Sequence, residues 1–350
     1  MATLADIAKL CGTSTATVSY VLSGQGDRRR ISPEMQEQVR KAAEQLHYKQ
    51  RESAPKNSAL KIALLWPDKN LETTIGNVIS GINTALQFES TPIELSMVPF
   101  GFNSLSSHTA LWSARVYDAV MILSPNVADM EILEQRHTKI PTVLINRSLE
   151  GYSGVSSDND EVGRLSAAQA VAKAGEDIAL IYNTTQHMGM NQRSRAIYQA
   201  CKSYGISLDD KVFYCNNSID EAYELGVRML RQKMLPKLIL CVYDTVAFGL
   251  IRALNEGGIQ VGKEVEVLTA STSTPQFFAR ATPSITVVDM KIKEISQRAL
   301  HLAVDLVYQR VPSPTQIVIE PELIYRESSP PPTIEQTQRL IEYKRKYMMR

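Results

Sequence analysis

The sequence predicts an all-α helix-turn-helix head followed by an α/β body of two parallel-sheet lobes. Three observations carry that expectation. Three short helical patterns occupy residues 3–48, apolar strand segments alternate with amphipathic helices over 61–327, and a polar stretch containing Pro55 (49–60) separates the two. At 350 residues the chain exceeds what one simple core holds and fits two or three compact units. A last stretch, 328–350, opens with Ser328-Ser329-Pro330-Pro331-Pro332 and reads as a tail that leaves the body.

The head (1–48) is punctuated by helix-start signals. Thr3-Leu4-Ala5-Asp6 has the form of a capping box, in which Thr3 accepts from first-turn amides and Asp6 reaches back. Leu4, Ile7, Ala8 and Cys11 follow at helical spacing, and Gly12 closes the helix in the left-handed geometry that glycine tolerates. Ser14 is placed to cap a second helix whose Val18, Val21 and Leu22 face inward. Thr15, Ala16, Thr17, Ser19 and Tyr20 are left on its outer or flanking faces. Ser32-Pro33-Glu34 is a third start: a cap, a proline at the first helical position, and an acid at the positive end of the dipole. Met35, Val39, Ala42 and Leu46 form the stripe expected to be buried.

The segments TLADIAKLCGTSTATVSYVLSG and ISPEMQEQVRKAAEQLHY closely resemble the DNA-binding head of the lactose-repressor (LacI/GalR) family. The resemblance implies that the second helix enters the major groove by its N-terminal residues. Base reading then falls on Thr15, Ala16 and Tyr20, within a DNA-binding set that includes Thr3, Ser14, Thr17 and Ser19. Tyr20 stands where many relatives carry arginine or histidine. A tyrosine offers one hydrogen bond or an apolar contact in place of a guanine clamp, or it packs on the backbone. The turn Gly24–Arg30 is longer than the family's, and its Arg28, Arg29 and Arg30 are read as phosphate contacts, the alternative being a solvated charge run.

The linker departs from the family, whose hinge helix wedges a leucine into the minor groove. Here the interval is short, Pro55 removes a backbone donor, and Leu60 reads as part of the first strand. The central kink of the duplex is therefore in question.

Strand patterns in the body fall at 61–66, 93–98, 118–124, 142–145, 178–182, 212–215, 237–242 and 265–269. Helical patterns fall at 75–88, 159–174, 191–204, 220–233, 245–256 and 291–309. That alternation means parallel sheets. Segments such as IPTVLINR, SSDNDEVGRLSAAQAV and YDTVAFGLIRALNEGGIQVGKEVEVL are similar to the sensor of the same family, which is periplasmic-binding-protein-like. The resemblance implies one lobe of 61–157 plus a returning segment near 288–318. The other holds 158–287 plus a last strand, Leu323–Arg326, and a ligand sits between them at the carboxyl ends of the strands. Carried over by position, the effector contacts are Trp66, Asn146, Arg193, Tyr243, Asp244 and Ser271. Trp66 either stacks on a ring or simply packs, and Arg193 either reaches the ligand or forms a surface salt bridge. Tyr243 and Ser271 replace groups with which sugar-binding relatives grip hydroxyls, which weakens a plain-sugar reading. Asp158 and Asp160 read as helix caps.

The overall charge of +1 hides an asymmetry: residues 1–61 hold ten Lys/Arg against six Asp/Glu, leaving 28 against 31 elsewhere. A basic head on a near-neutral body suits a polyanion. Cys11, Cys201, Cys215 and Cys241 show no metal-ligand spacing and read as reduced thiols, and the five histidines are scattered. No nucleophile, metal or phosphate-loop motif is found, so neither catalysis nor a cofactor is expected. With no long apolar run and no leader in MATLADIAKL, the expectation is a cytoplasmic protein. The sequence thus predicts a homodimeric regulator, with a tetramer possible through the tail. Its partners are double-stranded operator DNA and a small-molecule effector (a sugar, a sugar derivative or another metabolite). A sensor that answers to a protein partner, or that has lost its small molecule, is the alternative.

Overall fold

The computed structural model describes residues 3–22, 26, 29, 31–46, 59–68, 72–101, 103–108, 111, 113, 116–182 and 188–348, the side chains at 72, 73 and 188–191 apart. Two compact units divide between Ser58 and Ala59.

The first unit holds α1 (Leu4–Leu10), α2 (Thr15–Leu22) and α3 (Pro33–Gln45). Their starts follow the local chemistry. Thr3 Oγ1 accepts from Asp6 N–H while Asp6 takes the Thr3 amide at 2.8 Å. Gly12 has φ +62°, as a left-handed helix end requires. Ser32 accepts from Met35 N–H ahead of Pro33. Ile7, Ala8, Val18, Val21, Val39, Ala42 and Ala43 are buried, with Leu4, Cys11, Leu22, Met35 and Leu46 around them. The third stripe differs from expectation in one respect: Gln36 and Ala43 are buried and Met35 is at the rim. Gln36 tolerates burial because its amide donates to Ile31 O at 2.9 Å.

The second unit is a pair of α/β lobes, each built on a six-stranded sheet. Its elements run β1 (Leu60–Pro67), α4 (Glu72–Phe88), β2 (Ile93–Phe100), β3 (Ala119–Leu123), α5 (Val127–Gln135), β4 (Thr142–Ile145), β5 (Ser153–Ser157), α6 (Asn159–Ala174) and β6 (Ile178–Tyr182). They continue with α7 (Met188–Ser203), β7 (Val212–Tyr214), α8 (Ile219–Gln232), β8 (Leu238–Cys241), α9 (Asp244–Glu256), β9 (Glu266–Ser271), α10 (Pro275–Ala279) and β10 (Thr286–Asp289). Last come α11 (Ile292–Val307), β11 (Gln316–Ile319), β12 (Glu322–Ile324) and α12 (Ile334–Tyr347). Leu60, expected in the strand, opens β1 fully buried.

The first sheet has the order β11-β5-β4-β3-β1-β2, all parallel; the second runs β12-β10-β9-β8-β6-β7, parallel except for the β10–β12 pair. β3 (AVMIL) and β8 (LILC) are buried along their whole length, as strands covered on both faces must be. In the second sheet neighbouring residues feed opposite cores: Ile239, Cys241, Val267 and Val287 pack with α8 and α9, and Leu238, Leu240, Leu268 and Val288 pack with α6 and α7. β5, β10, β11, α5 and α10 were not among the expected elements: SGVSS has one strand-forming side chain, Val155, and the others are only four to nine residues long. Each sheet reverses strand order beside its first strand, and such switch points open a crevice at the carboxyl ends of the strands. Three chain passages join the lobes: β5 to α6, β10 to α11 and β11 to β12.

The tail begins later than expected. Ser328 and Ser329 are fully buried, Thr286 N–H donates to Ser328 Oγ at 2.9 Å, and Ser329 Oγ donates to Glu266 at 2.7 Å. The helix beyond, α12, docks on the body: Arg339 donates to the carbonyls of Ala172 and Lys173 at 3.1 Å, and Leu340 and Tyr343 pack on the second-lobe core. No described helix is long and apolar enough to cross a membrane.

Candidate DNA-reading helix and interlobe cleft

In the head, the buried Val18 and Val21 fix which face of α2 is free. Thr15, Ala16 and Ser19 are exposed on it, and Tyr20 is half-buried beside it. Ser14 Oγ accepts from Thr17 N–H at 3.1 Å and meets Thr17 Oγ1 at 2.9 Å, so both hydroxyls are engaged at the helix start. The Thr3 hydroxyl is likewise engaged, donating to Asp6 at 2.7 Å and holding that carboxyl below the usual carboxylate range. These three positions of the expected DNA-binding set therefore shape the helix starts. The Arg29 guanidinium lies 4.6 Å over the Tyr20 ring, a contact the sequence reading did not foresee. Arg28 and Arg30 lie outside the described residues.

In the body, the expected effector residues meet at the carboxyl edges of both sheets. Trp66, the penultimate residue of β1, has a buried indole N–H without a hydrogen-bond partner. Asn146 follows β4 with φ +59°, a left-handed conformation asparagine tolerates. Its amide donates to Val155 O at 2.7 Å. Arg193, on α7, is 2% exposed; it donates to Val242 O at 2.8 Å, lies 5.8 Å from the Tyr243 ring, and leaves Nε buried without a partner. Among the described residues no carboxylate stands within ion-pair distance of it, so the surface salt bridge held open for Arg193 is not what forms.

Asp244 is buried and its oxygens are occupied: Oδ2 accepts from Ser271 Oγ at 2.8 Å and from Ser273 Oγ, and Oδ1 from Thr245 N–H at 2.8 Å. Asp244 and Ser271, both expected as ligand contacts, are hydrogen-bonded to each other. Tyr243 is also buried, with the Thr74 and Thr272 side chains acting on its phenol. Burial pushes its pKa up.

Thr74, on α4, meets Thr272 Oγ1 at 2.9 Å, and Asn77 donates to Thr272 O at 3.0 Å. These bonds join first-lobe α4 to the loop after β9. Beside this junction lies a cavity of about 770 Å³ lined by Asn77, Ser273, Thr274, Asp289, Lys291 and His301 among others. Asp289, at the end of β10, has its pKa raised by burial.

Sequence reasoning missed Arg147. It follows Asn146 and is fully buried, donating through Nε to Pro125 O at 3.1 Å and through a terminal nitrogen to Asn146 O at 2.6 Å. Burial, and then the nearby Arg193 charge, push its pKa down to about 10. The one available signal was an arginine at a strand end inside an apolar segment. The thiols are inert by the same physics: burial raises Cys201 to about 12 and Cys215 to about 11.

The fold and the two sites define a helix-turn-helix protein carrying a two-lobed binding domain, and known proteins bear the same combination. Residues 3–50 match "Bacterial regulatory proteins, lacI family", and residues 167–329 match "Periplasmic binding protein-like domain". The chain thus carries a lacI-family helix-turn-helix domain and a periplasmic-binding-protein-like domain, the pairing found in DNA-binding transcription regulators. It is 20% identical to the HTH-type transcriptional repressor PurR of Vibrio parahaemolyticus over 336 residues, covering 94% of this chain and 98% of that one. It is 23% identical to the HTH-type transcriptional regulator GalR of Lacticaseibacillus casei, over 94% of this chain and all of that one. Among solved structures it resembles the lac repressor dimer bound to operator and the anti-inducer ONPF (TM-score 0.68, 18% identity, 94% and 99% covered). It also resembles the CelR–cellobiose complex (TM-score 0.67, 22% identity, 94% and 100% covered).

Proposed function

We propose that the chain is a cytoplasmic, homodimeric repressor that reads a pseudo-palindromic operator through α2 and answers to a small molecule in the interlobe cleft. The observation that carries the DNA reading is the exposed row Thr15, Ala16 and Ser19 on a helix whose other face is locked by Val18 and Val21. Thr15 offers a hydrogen bond to a base edge and Ala16 a methyl contact to thymine. Tyr20, with Arg29 stacked on it, flanks that row.

Two identical heads on a two-fold axis call for a two-fold operator. Exposed apolar groups on the body, Phe277 beside Phe248 and Met97 on edge strand β2, suit burial against a second copy. The effector acts by its differential affinity for the open and closed lobe arrangements.

Selection of operators from random duplexes by the full-length protein, with Tyr20→Ala alongside, tests this. The expected result is a palindromic consensus that relaxes at one base pair per half-site in the variant. Salt-sensitive binding without a consensus overturns it.

A second reading has its own support. Tyr243 is buried beside Arg193, and the Thr74–Thr272 bond links the lobes through the protein's own groups. A sensor that answers to a protein, or to nothing, would look like this, and a cleft that binds no small molecule would favour it.

A further inference from the structure

We propose that the cleft is built for an anionic effector, a phosphate ester or carboxylate, gripped between Arg147 of the first lobe and Arg193 of the second. This rests on the reading of the cleft as an effector site and adds the ligand's charge. The argument is one of unmatched charge. Both guanidinium groups are buried, at 6% and 2% exposure. Each carries five N–H donors, yet among the described residues Arg147 donates to two backbone carbonyls and Arg193 to one. Among the described residues no carboxylate reaches ion-pair distance of either. Asp244 favours the Arg193 cation from beyond ion-pair distance, while its oxygens accept from Ser271, Ser273 and Thr245.

Burial lowers the pKa of both guanidinium groups, and the Arg193 charge lowers that of Arg147 further, as two cations kept from water demand. A neutral sugar would bring no charge of its own to two cations that share one nearby carboxylate. A phosphate or carboxylate would neutralise them and accept the unused donors as charge-assisted, bidentate bonds. Further donors without a partner, Trp66 Nε1 and Ser157 Oγ, stand at the same carboxyl edge of the first sheet, on β1 and β5. Since Arg147 and Arg193 belong to different lobes, one anion bridging them would tie the lobes together and bias the closed arrangement.

Thermal unfolding of the full-length protein tests the proposal, with pyrophosphate, glucose 6-phosphate, citrate, glucose and hypoxanthine as probes and sodium chloride matching ionic strength. At about a hundred times its Kd, a site-bound anion should raise the midpoint by about 5 °C. Arg147→Gln and Arg193→Gln should each weaken its Kd by about tenfold or more. A rise that survives both substitutions places the anion elsewhere and overturns the proposal. A rise with glucose or hypoxanthine and none with the anions also overturns it, while the effector cleft itself stands. No rise with any probe overturns both. Should either glutamine variant fail to fold, Trp66 emission in a Trp112→Phe chain reports on the intact site. A change on pyrophosphate addition that is lost in Arg193→Lys supports the proposal, and an unchanged emission overturns it.

Discussion

The guanidinium of Arg29 over the Tyr20 ring is a small contact with a large lever, because it sits beside the face that would meet base edges. An exposed cation–π pair stabilises by only about 0.5–1 kcal/mol. One lost base contact, by contrast, costs about 1–3 kcal/mol in discrimination. Tyr20→Ala should therefore leave head stability nearly unchanged and flatten preference at one position of each half-site, measured by binding to single-substituted operators. Arg29→Ala should weaken binding across all sequences and lower the salt slope by about one unit per head, if the guanidinium also reaches a phosphate.

Also at residue scale, His108 is held below its ordinary pKa, chiefly by burial against Phe100, with Asp129 pulling the other way. A histidine depressed in the folded state contributes stability above its unfolded pKa, near 6.5, and loses it as pH falls below that value. The urea midpoint should fall from pH 7 to pH 5, and fall less in His108→Gln.

At the scale of elements, two close approaches are worth a measurement. α4 and α11 touch at Gly81, where a Cβ would lie 2.2 Å from Lys293 O. Backbone cannot retreat as a flexible side chain can, so Gly81→Ala should destabilise the body by about 1–3 kcal/mol in denaturant unfolding. Because α4 and α11 both line the cavity, the same substitution should loosen the lobes. The Thr74–Thr272 bond gives a gentler perturbation. Thr74→Val keeps shape but leaves Thr272 and Tyr243 short of a partner inside a buried cluster. The cost should be about 1–3 kcal/mol, with faster amide exchange in the loop after β9.

At the scale of the whole molecule, the fold decides the open role of the tail: of docking and fraying, the readings the sequence favours, docking is what forms. The sequence left open whether it docks, frays or assembles tetramers; here its Arg339, Leu340 and Tyr343 face α6 and the second-lobe core. Sedimentation of the full chain should therefore give a dimer and no tetramer, and Arg339→Ala should leave that state intact while exposing the tail to protease. Among the described residues the lobes are joined by three chain passages and by bonds from Thr74 and Asn77 to the loop after β9, so a change in lobe arrangement would turn on keeping or opening those bonds.

What the sequence determined by itself is what depends on neighbours a few residues apart. The Thr3–Asp6 box, the Ser14 and Ser32 caps, Gly12 in its left-handed turn and the buried stripe of α2 all involve spacings of three to seven. Strand-and-helix alternation made the two parallel sheets legible for the same reason, although the weakly patterned β5 and β11 escaped it. Family likeness added Arg193, Tyr243, Asp244 and Ser271 as cleft residues, but not what they do there. That was decided by tertiary structure: Ser271 meets Asp244 across 27 residues and Thr74 meets Thr272 across 198. It was also the fold that buried Arg147 beside Arg193, by bringing the end of β4 and a helix of the other lobe into one place. Burial and distance set the worth of a charge, and neither is a property of a residue's position in the chain.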